Sequence, residues 1–143
     1  MLSGATEALD AGILARVIEL NPMEELFVLI VDRDCDRQKH SQRASARERE
    51  LRPRLIACVA VEELETWMLA LHAKALGQSW KTVRAECDPK ETIAEPFLER
   101  CGWLGGVGKG RKEAMRALGP SWAALSLRCP ELHALQERLR ALL

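Results

Sequence analysis

Two uninterrupted apolar runs interrupt a chain whose hydrophobic residues otherwise recur at helical spacing. Leu26-Phe-Val-Leu-Ile-Val31 stops on Asp32, and Leu55-Ile-Ala-Cys-Val-Ala-Val61 passes straight into Glu62. A strand with one wet face would alternate, so both runs predict strands buried on both faces, the habit of a parallel sheet. Between 37 and 54 the composition turns basic, with Arg37, Lys39, Arg43, Arg47, Arg49, Arg52 and Arg54 against Glu48 and Glu50. That segment predicts a loop running into an exposed helix, and as a right-handed crossover it makes the two strands parallel neighbours.

Upstream, Leu9, Ile13, Val17 and Leu20 predict a helix from an N-cap at Thr6 to Asn21-Pro22. After the second strand, residues 62–71 predict another helix with Leu64, Trp67, Met68, Leu71 and Ala75 on its core-facing arc. No further strand is expected beyond Gly77. Helical pieces follow at about 79–87, 91–101, 109–118 and 121–127, and a last helix starts at Pro130 with Leu132, Leu135, Leu139 and Leu142 as its stripe. The fold class is therefore α/β, a small mostly parallel sheet with a helical C-terminal tail. One domain is expected over 1–143, with 1–76 as its α/β part and 77–143 as the tail.

Composition narrows the partners little. Lys plus Arg equal Asp plus Glu at 21 each, so only local clusters of charge carry information. No apolar run approaches the ~20 residues of a membrane span and no leader is visible, which predicts a cytoplasmic protein with no membrane partner. The five cysteines are scattered without a C-x-x-C pair, which argues for reduced thiols and against a zinc site. His40, His72 and His133 are equally dispersed.

The candidate chemistry sits where the apolar runs end. Asp32, Asp34 and Asp36 follow the first strand at every second position, and ligands of open α/β sheets bind at the carboxyl ends of strands. Carboxylates crowded there raise one another's pKa unless a cation neutralises them. The three are candidate ligands of a hard metal, Mg²⁺ or Mn²⁺ in its place. Acids in such a loop also cap the following helix, which is the plainer alternative. Glu62 and Glu65 share a face at the start of the next helix, where the macrodipole alone would also favour them. Arg37, Lys39 and Arg43, directly after the acidic loop, are candidate phosphate contacts.

Lys90, in Asp88-Pro89-Lys90-Glu91, opens a helix. Lys109, Arg111 and Lys112 follow glycines at 105, 106, 108 and 110, in a first helical turn where cations oppose the dipole unless an anion docks there. These four join the candidate phosphate contacts. The glycine-rich stretch is not a Walker A loop, because no Ser or Thr follows Lys109 and no strand precedes it. An EF-hand loop is excluded by Arg37 and Arg43 at its Gly and Glu positions. A haloacid-dehalogenase motif is excluded by Asp36, which stands where Thr or Val is required.

Taken in order, V-D-R-D-C-D, A-V-E-E-L-E-T-W-M-L-A, D-P-K-E and G-K-G-R-K-E resemble a Toprim-like bacterial domain family of unknown function, related to the nucleases of overcoming-lysogenization-defect type. The likeness covers about 26–140 and implies a Toprim- or Rossmann-like sheet and Mg²⁺-dependent phosphodiester chemistry on nucleic acid. By position it makes Asp32 and Asp34 the metal pair, Asp36 auxiliary, and Glu65 with Glu62 the family's further acids. It departs at the start: Ser3 stands where that family has a glutamate, and the strand that should precede it is missing. The alternative is a catalytically degenerate module that binds nucleic acid or protein and dimerises. A sheet edge left open by the missing strand predicts a homodimer.

Overall fold

A computed structural model describes residues 4–36, 38–105, 108 and 110–142. The chain is a mixed α/β protein that divides into two compact units, Met1–Ala60 and Val61–Leu143.

The first unit opens with two helices, α1 (Ala5–Ala8) and α2 (Ala11–Leu20), in place of the one expected from Thr6. Asp10 causes the break, because its carboxylate accepts the Ile13 N–H at 2.9 Å and caps α2 at its own position. Strand β1 (Phe27–Asp32) leads through α3 (Lys39–Glu50) to β2 (Leu55–Ala60), and the strands pair in parallel with Phe27 opposite Leu55 and Asp32 opposite Ala60. The crossover helix is the expected one. Leu29, Val31, Leu55 and Ala57 turn one sheet face onto Leu9, Leu14 and Ala44. Each such large apolar side chain contributes about 1.5–3 kcal/mol by leaving water.

One expectation fails here. β1 is buried on one face only: Leu29 and Val31 are covered, but Val28 and Ile30 are each 41% exposed. An apolar run records which residues could be covered on both sides, while coverage depends on a neighbour, and among the described residues β1 pairs with β2 alone.

The second unit is helical among its described residues. It runs through α4 (Glu65–Leu71), a 3₁₀ turn at Ala73–Ala75, α5 (Trp80–Ala85), a π-helical turn at Lys90–Ala94, α6 (Glu95–Arg100), α7 (Arg111–Ala114), α8 (Leu118–Arg128) and α9 (Pro130–Arg140). The π turn has a covalent cause, since Pro96 near the start of α6 has no N–H for the preceding turn's carbonyl. The core is Met68, Leu69, Leu76, Val83, Ile93, Phe97 and Leu98. The arc expected on α4 is displaced: Thr66, Met68, Leu69 and Ala70 are buried, whereas Leu64 is 41% exposed. The helix begins three residues later than expected, so its faces rotate accordingly. On α9, Leu132 and Leu135 are buried, while Leu142 lies beyond the helix end and is exposed.

Cys58, Cys101 and Cys129 are free thiols. Burial foremost, with the nearby Glu131 charge, pushes the Cys129 thiol up to about 12, so it stays protonated and inert. Among the described residues no helix is long and apolar enough to cross a membrane.

Candidate metal and phosphate site

In the first unit the chain leaves β1 by a tight turn. The Asp36 N–H donates to the Arg33 carbonyl at 3.1 Å, and the two corner residues are left-handed, Asp34 at φ 51° and Cys35 at φ 55°. Such a turn favours Asn or Asp and then Gly, so Asp34 suits its corner and Cys35 is held against a steric cost. The reversal returns Asp36 toward α3, where its Oδ1 accepts the Lys39 N–H at 3.1 Å. Asp36 therefore acts as a cap on the helix start. Asp32 is half-buried at the strand end, and Asp34 is exposed.

His40 was not a sequence candidate, yet it stands beside these acids. Its Nδ1–H donates to the Asp32 carbonyl at 3.1 Å and lies 3.7 Å from Asp34 Oδ2, with the side chain 12% exposed. Because a carbonyl can only accept, the Nδ1 proton is fixed on that side of the ring. The available signal was its place one residue into α3, eight beyond Asp32. Lys39 and Arg43 lie one turn apart on the same helix. Arg37 lies outside the described residues.

The second unit carries the glutamates. Glu62 is 2% exposed and left-handed at φ 62°, a conformation that costs a branched or long side chain roughly 1–2 kcal/mol. Glu63 Oε2 accepts the Lys90 N–H at 2.7 Å, and Thr66 Oγ1 donates to the Val61 carbonyl at 3.1 Å, so the start of α4 is tied at two points. Glu65 is held by Arg111, whose Nη2 lies 2.6 Å and Nε 2.8 Å from Oε1. Sequence reasoning had placed the two in separate roles. Their 46-residue separation gave no sign of the pair.

Lys90 Nζ pairs with Glu91 at 3.0 Å, and the Glu91 hydrogen bond and charge, with lesser help from Glu65 and Glu63, raise its pKa further. Glu91 is correspondingly lowered, by the Lys90 hydrogen bond first. Glu63, Glu65, Lys90, Glu91 and Arg111 thus form a cluster of three acids and two cations. Lys112 is exposed, and Lys109 lies outside the described residues.

Among the described residues no three His, Cys, Asp or Glu side chains converge as a ligand set. This donor arrangement does not fit a closed protein cage. A hydrated hard cation needs only one or two carboxylates and keeps its waters. The molecule is defined so far as a mixed α/β protein with acidic loops after two parallel strands. No family model matches the chain, and neither a curated protein nor a solved structure matches it.

Proposed function

We propose that this chain is a Toprim-related protein that processes phosphodiesters of nucleic acid with Mg²⁺. One observation carries the reading: among the described residues the left-handed non-glycines are Asp34, Cys35 and Glu62, all within three residues of a strand's carboxyl end. Strain of this kind persists where function holds it, and the carboxyl ends of parallel strands are where α/β sheets place ligands. Two of the three residues are acids.

Asp32 and Asp34 hold the cation, with Asp36 supporting the loop through its bond to α3. A cation bound there would offset phosphoryl charge and lower the pKa of an attacking water. In the second unit, Glu62 and Glu65 are the further acids of this reading. Arg37, Lys39, Arg43, Lys90, Lys109, Arg111 and Lys112 hold phosphates. Of these, Lys39, Arg43 and Lys112 make no ion pair among the described residues and are the readiest to do so. Arg111 must first leave Glu65, so phosphate contact there would free that carboxylate.

Supercoiled plasmid incubated with the protein and Mg²⁺ or Mn²⁺ tests the reading. Nicking is expected from the wild type, falling roughly 10²-fold or more in Glu62→Gln and in Asp34→Asn at unchanged helicity. A salt-dependent gel shift with no nicking under either ion would replace the enzyme with the non-catalytic binding module. The lack of a three-ligand group among the described residues is the observation on that module's side.

A further inference from the structure

We infer that this chain self-associates through β1, which pairs antiparallel with β1 of a second copy to make one continuous four-stranded sheet. The two edges of the sheet differ. The Phe27 N–H donates to the Arg54 carbonyl at 2.7 Å, so Phe27, Leu29 and Val31 bond toward β2, while Val28 and Ile30 aim their N–H and C=O groups the other way. On the β2 edge the Ala57 N–H is taken by the Glu48 carboxylate at 2.9 Å, a side-chain stopper. Among the described residues the β1 edge has no such stopper. Neither Val28 nor Ile30 has a hydrogen-bond partner on that side among the described residues.

The exposed face points the same way. Val28 and Ile30 are each 41% exposed, whereas Ile56 and Cys58, opposite them on β2, are 5% exposed. Leu20 at 62% and Met23 at 89% add to an apolar surface concentrated in one short stretch of chain. Edge strands that stay unpaired are guarded by lysine, proline or a bulge, and β1 carries none of these. A strand with open backbone groups and an open apolar face calls for another apolar strand.

β1 supplies one that matches itself. In an antiparallel pair centred on Leu29, Val28 faces Ile30 of the second copy, Phe27 faces Val31, and Glu25 faces Arg33. Each pairing occurs twice by symmetry, as a two-fold interface requires. The outward-bonding residues Val28 and Ile30 then fall opposite each other, which a hydrogen-bonded pair needs. Sliding the centre by one residue to Ile30 sets Phe27 against Arg33 and Val28 against Asp32. Charge and hydrophobicity therefore select one register.

Sedimentation velocity on the full chain over a range of concentrations tests this, with amide exchange at Val28 and Ile30 as the local probe. A dimer is expected, with both amides protected only where the dimer forms. Ile30→Lys, at an exposed position, should give a monomer of unchanged helicity. Glu25→Arg should weaken association about tenfold, and adding Arg33→Glu should restore it. A monomer at every concentration overturns the inference, whether or not those amides are protected from within the chain. So does a dimer that survives Ile30→Lys, and a charge swap that fails to restore association overturns the register. No metal enters this test, so its outcome is separate from that of the nicking assay.

Discussion

Replacing Glu131 by alanine is expected to destabilise the helical unit by about 3–5 kcal/mol, the range for breaking a buried ion pair. Its carboxylate, 13% exposed, accepts Arg84 Nη1 at 2.7 Å, Arg84 Nη2 at 3.0 Å and Trp67 Nε1 at 2.9 Å. One side chain at the start of α9 thereby joins α4 and α5, and its loss strands a guanidinium and an indole N–H. Arg84→Met together with Glu131→Leu should lose less than either single change, because no charge is then left unpaired.

The pH dependence follows from the same contacts. Burial alone would raise the Glu131 carboxyl, but the Arg84 hydrogen bonds, its own backbone, Trp67 and the Arg84 charge outweigh that and hold it below the ordinary 4.5. A lowered folded value means the contribution is present in full above the unfolded carboxyl range and is lost as pH falls through the folded one. Urea unfolding of wild type and Glu131→Ala should therefore differ most near neutrality and converge as pH falls below the ordinary carboxylate range. A gap that widened on acidification would contradict this sign.

Gly110→Ala is the second large effect. Gly110 has φ 82°, and a Cβ built there would lie 2.5 Å from the Trp103 carbonyl oxygen and 2.7 Å from its carbon. Main chain cannot swing aside as a side-chain tip can. Trp103 itself is wedged between His72 and Phe97, with ring centroids 5.7 and 6.0 Å away. His72 in turn donates from Nε2 to the Ala114 carbonyl at 2.8 Å. The added methyl must push into this packed group, at a cost of about 3 kcal/mol or more, or roughly 10 °C in Tm. Gly108→Ala, also left-handed but with nothing within 4 Å of the added carbon, should cost only about 1 kcal/mol. Equal shifts in thermal unfolding for the two variants would show that the Trp103 contact carries no weight.

The strands and their parallel pairing were legible because a continuous apolar run of that length, bounded by polar turns, fits little besides a strand. So was the basic crossover helix. Coverage was not legible, since Val28 and Ile56 look alike in sequence and differ in having a neighbour. The start of α4 was misplaced because Glu62 and Glu63 favour a first helical turn, yet Glu62 is left-handed and Glu63 is bound to the Lys90 N–H. Local propensity yielded to a contact 27 residues away. Of the acidic loop, the location was legible and the division of labour was not: Asp36 caps α3, while Asp34 faces His40. Long-range partners such as Glu65 with Arg111 leave no periodic trace in a sequence.

Titration calorimetry of Mg²⁺ and Mn²⁺ into the metal-free protein tests the central claim most directly. Saturable binding near one ion per chain is expected for the wild type, abolished in Asp32→Asn/Asp34→Asn while circular dichroism and thermal unfolding stay as they were. Equal heats from the wild type and the double variant, or none from either, would contradict a cation held at the end of β1.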